Sequence, residues 1–322
     1  MLINILLIIV GMALLIKGGD FLVDGASSLA RRYNLSELAI GLTIVAFGTS
    51  APELVVSLTA AINSHSEIAL GNVIGSNNFN LYFILGVTGL LAPIAVQKNT
   101  VRIEIPFSMM AAIILFVLGN FAFSAIKEKT ITRIDGIILL LFFVLFLFYV
   151  YKNMKKTMPT EADNELSGKT FSLVKSIIFI IIGLIFLILG GRVVVDSAVE
   201  LALALNISEK VIGLTIVAVG TSLPELVTSI TAVAKKKDDI AIGNIIGSNI
   251  FNIFLILGAA AVINPIEYSP VFNKDIYILI AGTLLLLLAM VTGKKRKLDR
   301  WEAAILLSLY IGYVIYLIIQ NE

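Results

Sequence analysis

The chain contains no cysteine and a single histidine, His65. A disulfide framework, a thiolate metal site and a cysteine nucleophile are therefore excluded. Serine chemistry would lack its base, because the only imidazole falls in a short stretch between apolar runs. An aspartyl dyad is equally missing, since Asp20, Asp24 and Asp196 sit near the ends of apolar runs. Charge is scarce too. Only 14% of the 322 residues are charged, against 58% hydrophobic, which is too little polar surface to keep a globule of this size in solution. The net charge of +2 does not point to nucleic acid, because the basic residues lie between the apolar runs. The first run, from Leu2 past Leu22, has no basic residue before it and no small-residue cleavage site. It reads as a membrane helix and not as a signal peptide.

What the chain has instead is a series of apolar runs, each of about 20 residues and long enough to cross a bilayer. The expected spans are 2–29, 36–61, 67–92, 104–124, 133–151, 171–203, 208–233, 239–263, 273–292 and 299–319. The fold class is an all-α polytopic membrane protein with ten transmembrane helices. IGLTIVAFGTSAPELVVSL, from Ile40 to Leu58, and GNVIGSNNFN, from Gly71 to Asn80, return as IGLTIVAVGTSLPELVTSI, from Ile212 to Ile230, and GNIIGSNIFN, from Gly243 to Asn252. Glu53 and Glu225 are 172 residues apart, and so are Asn80 and Asn252. The chain is a tandem duplication, with repeats over 1–151 and 171–322 joined by a linker over 152–170. The repeated motifs lie at 40–80 and 212–252. An odd number of helices per copy makes the second copy enter the membrane in the opposite sense, giving inverted repeats.

Basic residues orient the chain. Loops after odd-numbered spans carry Arg31 and Arg32, Lys98 and Arg102, Lys152, Lys155, Lys156, Lys169 and Lys175, Lys235 to Lys237, and Lys294 to Lys297 with Arg300. The other side carries Lys127, Lys129, Arg133, Lys210 and Lys274. The bias places odd loops in the cytoplasm and both termini outside. The linker is a tether too short for a folded domain.

Polarity inside the repeats carries the chemistry. Pro52 has no N–H for the carbonyl of Gly48, and its ring opens that turn, so neighbouring carbonyls such as that of Ala46 tilt outward. In hydrocarbon, freed carbonyls are tolerated only where a cavity, water or an ion satisfies them. Thr49, Ser50 and Glu53 add oxygens beside the break, and Pro224 repeats the arrangement with Ala218, Thr221, Ser222 and Glu225. Ser76 and Asn80 are four apart and share a helix face, as do Ser248 and Asn252. Gly71 with Gly75, and Gly243 with Gly247, are expected to let helices approach closely. The pooled donors are all oxygen, a set preferred by hard cations such as Na⁺ and Ca²⁺ over Zn²⁺ or Cu²⁺. Two glutamates carry a charge of −2, which one Ca²⁺ neutralises and three Na⁺ overshoot by one. These residues point to an ion transporter.

Through these two motifs the chain resembles the sodium/calcium exchangers of the cation/Ca²⁺ antiporter superfamily, as a compact prokaryotic member. The resemblance implies that Glu53 and Glu225 are central ligands shared by Ca²⁺ and Na⁺. It implies that Thr49, Ser50, Ser76, Thr221, Ser222 and Ser248, with the carbonyls of Ala46 and Ala218, complete a diamond of sites, joined by Asn80 and Asn252. It also implies that the first and sixth spans slide as a gating pair. Where K⁺-dependent relatives carry aspartate this chain has Asn252, which argues against K⁺ co-transport. The form Gly-Thr-Ser-x-Pro-Glu favours Na⁺ coupling. No cofactor is implied: Na⁺ and Ca²⁺ are the cargo, lipids the surroundings, and no obligate protein partner is evident.

Blander roles are expected elsewhere. Asn72, Asn77, Asn244 and Asn249 read as packing and backbone-capping groups. Asp20, Asp24, Arg192 and Asp196 read as interfacial salt-bridging groups beside snorkelling Lys17. His65 reads as a surface residue, the Lys clusters as topology determinants that touch anionic lipid, and Trp301 as an interfacial anchor. The alternatives to Na⁺/Ca²⁺ antiport in the cell membrane are a Ca²⁺/H⁺ or other divalent antiporter and a passive channel. An enzyme is discounted. Broken helices around one asymmetric site suit a carrier better than a channel.

Overall fold

The computed structural model describes residues 2–121, 129–154, 170–204, 218–292 and 296–320, and 85% of the structure is helical. Most of the expected linker, the first part of the seventh expected span and residues 212–217 of the second motif lie outside the described residues.

In chain order the helices are α1 (Leu2–Arg32), α2 (Glu37–Thr49), α3 (Ala51–Ile62), α4 (66–91), α5 (Thr100–Asn120), α6 (Arg133–Asn153) and α7 (Leu173–Ala204). There follow α8 (Leu223–Ala234), preceded by a short turn at Ala218–Gly220, then α9 (Asp238–Ile263), α10 (Pro270–Ala289) and α11 (Arg300–Gln320). Among the described residues seven helices are long and apolar enough to cross a membrane, and the bent pair α2–α3 makes an eighth. The chain is a multi-span membrane protein. Two of the ten expected spans fall short of this measure for separate reasons. Helix α4 is diluted by Asn72, Asn77, Asn78 and Asn80, and the described part of the seventh span is only the 12-residue α8.

Burial separates the centre from the periphery. Helix α9 is buried along 83% of its most apolar stretch, against 17–39% for the other six long helices. The outer helices instead present large apolar side chains outward, such as Ile9, Leu141, Phe148, Ile181 and Leu309. Such a surface suits acyl chains and not water.

Helices α1 and α7 run antiparallel along a seam of small residues. A Cβ at Gly11, Gly18 or Gly25 would come within 2.8–2.9 Å of the backbone oxygens of Gly190, Gly183 and Ser176 respectively. The seven-residue spacing on both helices keeps the two backbones in touch over four turns, close to the repeat that holds one face toward a partner helix.

The loops contact one another in two sets. A two-residue bridge pairs β1 (Ile94–Ala95) with β4 (Lys297–Leu298), and another pairs β2 (Thr130–Ile131) with β3 (Ile266–Glu267). Ser36 N–H donates to Met154 O, and Phe171 N–H to Ser28 Oγ, within the first set. Asn264 Nδ2 donates to Ala61 O, and Glu267 N–H to Ser66 Oγ, within the second. Loops expected on one side of the membrane touch only loops of that side in these bonds.

Candidate cation site

Each proline break makes a helix terminus at the centre of the protein. The chain bends by 50° between α2 and α3, and Pro52 stands in the first turn of α3 with Glu53 beside it. Pro224 and Glu225 occupy the same places in α8. Proline costs nothing there, since the first-turn N–H groups have no intrahelical partner. The N-terminal dipoles favour both carboxylates by about 0.3–1 kcal/mol each, and more in buried settings. The two copies break differently at the preceding serine. Ser50 N–H bonds Ala46 O at 3.0 Å, four residues back, whereas Ser222 N–H bonds Val219 O at 3.2 Å, three back.

The hydroxyls cross over between the copies. Ser50 Oγ donates to Glu225 Oε1 at 2.9 Å, and Ser222 Oγ donates to Glu53 Oε1 at 2.8 Å. Ser248 Oγ lies 3.4 Å from Glu225 Oε1, and Ser76 Oγ lies 3.1 Å from Ser222 Oγ. Both glutamates are 1% exposed, and the second oxygen of each, Oε2, is buried without a hydrogen-bond partner. Asn80 Oδ1, Asn252 Oδ1 and Thr221 Oγ1 are likewise buried and unpartnered. No ion pair to Lys or Arg reaches either carboxylate among the described residues. Holding two unpaired carboxylates out of water costs several kcal/mol each.

Of the residues expected at the site, the structure brings six into two hydrogen-bonded groups that each cross between the copies: Glu225 with Ser50 and Ser248, and Glu53 with Ser222, which also meets Ser76. The Thr49 hydroxyl is 2.9 Å from Asn244 Oδ1, 3.1 Å from Val45 O and 3.3 Å from Ala46 O. The Ala46 carbonyl thus faces both that hydroxyl and the Ser50 N–H. Ala218 opens the short turn before Thr221. Asn80 and Asn252 lie in π-helical segments, Phe79–Ile84 and Phe251–Leu257, whose wider turns recur at functional sites. The α-helical face expected for Ser76 with Asn80 therefore changes register between the two, at Phe79. The same happens at Phe251 between Ser248 and Asn252.

Several expectations need adjusting. Gly243 and Gly247 do hold α9 against α2: a Cβ at either would stand about 3 Å or less from atoms of Leu38, Leu42 or Ala46. Gly75 has nothing within 4 Å of its Cβ position and Gly71 only a Phe272 ring atom at 3.8 Å, so close approach is not their reason. Arg192 pairs with Asp196 at 3.6 Å as expected. Asp20 and Asp24, however, are claimed by Lys235 from the end of α8, at 3.1 and 2.7 Å. His65 is exposed in its loop. Asn72 Nδ2 donates to Glu53 O at 3.2 Å and to Ser57 Oγ at 2.8 Å, and Asn244 Nδ2 does the same to Glu225 O and Ser229 Oγ at 3.3 and 3.0 Å. Ser57 and Ser229, both fully buried, escaped the sequence reading. Their only signal was repetition at the common offset.

The sequence profile of the sodium/calcium exchanger protein family matches residues 3–152 and 175–319. The chain belongs to this family. Among its relatives, the protein CaxA of Alkalimonas amylolytica is 42% identical over 97% of this chain and 98% of its own length. The sodium/calcium exchanger MaX1 of Methanosarcina acetivorans is 32% identical, with 98% of each chain covered. A solved structure of the sodium-calcium exchanger NCX_Mj soaked with 10 mM Na⁺ and no Ca²⁺ superposes with a TM-score of 0.83 at 34% identity, over 98% of both chains.

Proposed function

We propose that this exchanger moves Ca²⁺ against Na⁺ across the cell membrane by alternating access, with Glu53 and Glu225 as ligands common to both ions. Thr49, Ser50, Ser76, Asn80, Thr221, Ser222, Ser248 and Asn252, with the carbonyls of Ala46 and Ala218, surround them. One observation carries this reading: two buried carboxylates, with no basic partner among the described residues, each keep one oxygen unpartnered, and the side-chain oxygens of Asn80 and Asn252 are unpartnered too. A hard cation supplies the compensation that no side chain gives.

Ten spans in two inverted repeats, with both termini outside, agree with the reciprocal Ser50–Glu225 and Ser222–Glu53 bonds and with the segregation of the loops. A cavity of about 410 Å³ borders Thr221 and the two prolines, Pro52 and Pro224, and is lined mainly by apolar groups such as Val55, Val56, Ile188 and Val195. With three Na⁺ for each Ca²⁺ one charge crosses per cycle, worth about 2.3 kcal/mol at about 100 mV.

The test is uptake of radiolabelled Ca²⁺ into proteoliposomes. Uptake that requires an outward Na⁺ gradient and responds to voltage is the expected result. Uptake driven by a pH gradient without Na⁺ would replace this reading with proton coupling. Gradient-independent flux at channel rates would replace it with a pore.

A further inference from the structure

Where α4 and α9 cross, four asparagines form a closed set of hydrogen bonds. Asn80 Nδ2 donates to Asn249 Oδ1 at 3.1 Å, and Asn252 Nδ2 donates to Asn77 Oδ1 at 2.9 Å. Asn77 Nδ2 donates to Asn249 O at 3.3 Å, and Asn249 Nδ2 returns the bond to Asn77 O at 3.4 Å. All four side chains are 0–1% exposed. Each amide nitrogen donates one of these bonds, and the oxygens of Asn77 and Asn249 are used as acceptors. The oxygens of Asn80 and Asn252 alone in this set are left without a partner.

We infer that Asn77 and Asn249 are positioning residues that lock the amides of Asn80 and Asn252 with oxygen toward the transported cation and nitrogen away from it. The inference rests on the cation-site reading above and gives that site a device for orientation. An amide presents a donor or an acceptor depending on a half-turn about its last bond, and its neighbours decide which. A free Asn80 would spend part of its time with N–H hydrogens against the cation, which repels it. Asn249 Oδ1 prevents this because it can accept only from the nitrogen. Its own orientation is in turn fixed by donation to the Asn77 carbonyl, and the partner pair repeats the logic in reverse. The brace also ties α4 to α9, so both halves of the site hold their spacing as ions of different charge come and go. Groups behind the ligands at metal sites commonly act this way.

Calorimetric titration of the purified full chain with Ca²⁺, in the absence of Na⁺, tests this. Asn249→Leu keeps the heavy-atom branching and removes the acceptor, and Ca²⁺ affinity should fall by about 10- to 100-fold. In an Asn80→Asp background the same leucine should cause no further loss, because a carboxylate presents an oxygen whichever way it turns. Asn77→Leu, with and without Asn252→Asp, repeats the cycle from the other side and decides the matter if the first variant does not fold. Wild-type affinity in Asn249→Leu, or an equal loss in both backgrounds, would overturn the orienting role and leave a packing role. Failure of the unsubstituted protein to bind Ca²⁺ would instead remove the cation-site reading, and this inference with it.

Discussion

At the residue scale, the proposed chemistry rests on oxygens that are buried and yet unspent. Glu53 and Glu225 each give one oxygen to a serine of the other copy and keep the second. Glu53→Gln and Glu225→Gln remove half of the site's formal charge but little of its shape. Each variant should fold, elute as the parent protein does and show Ca²⁺ exchange at the background level in proteoliposomes; parental flux in either would place the site elsewhere. Asn252→Asp adds a third negative charge and gives up the donor to Asn77, which should tighten divalent binding or bring in K⁺ sensitivity. An unchanged titration in both ions would take that position out of contact with the cargo. The glutamates were legible because a carboxylate beside a proline break, placed twice in hydrocarbon, is too costly to be kept for packing alone. The hydroxyl crossover was not, because nothing in either motif says which carboxylate its serine meets.

At the element scale, close packing of backbones sets the geometry. Gly18 and Gly183 sit at the middle of the α1–α7 seam, each with the other's carbonyl oxygen at 2.9 Å from where a Cβ would stand. Gly18→Leu should lower stability by about 1–3 kcal/mol, as overpacking does, readable as an earlier thermal transition. Gly75→Ala, which meets open space, should leave the transition in place. The seam was present in the sequence as glycines seven apart in two distant runs, but the pairing of those runs was not. A second device ties α1 to α8, where Lys235 holds Asp20 and Asp24. Lys235→Gln should release this end and speed modification, from the cytoplasmic side, of a single cysteine placed at Thr231, which faces Gly19 on α1. The absence of native cysteine makes that reporter clean. An unchanged rate would mean the ion pair does not hold the helices together.

At the scale of the whole molecule, the proposed site is shared between two copies expected to face opposite ways across one membrane. Tags at the two termini of cells producing this protein should both react with reagents that cannot enter the cell; protection of either would reverse or break the proposed topology. Exchange of three Na⁺ for one Ca²⁺ should also speed or slow with an imposed K⁺ diffusion potential, in the sense set by the one extra positive charge moving with Na⁺. The two halves are not superimposable in detail. The Ser50 N–H reaches four residues back and the Ser222 N–H three, and the Thr49 hydroxyl is engaged while the Thr221 oxygen, which borders a cavity, is not. Such asymmetry between equal sequences suits a carrier held in one of two alternating states.

The sequence alone determined the membrane class and the duplication, and it set the expectation of two glutamates at mid-membrane depth in an all-oxygen site. These follow from composition, period and the cost of polarity in hydrocarbon, which are local properties of the chain. Tertiary structure decided which serine serves which glutamate, which way the asparagine amides face and which glycines touch another helix. Those outcomes depend on how helices far apart in the chain cross, and at a crossing a shift of one residue exchanges one set of neighbours for another.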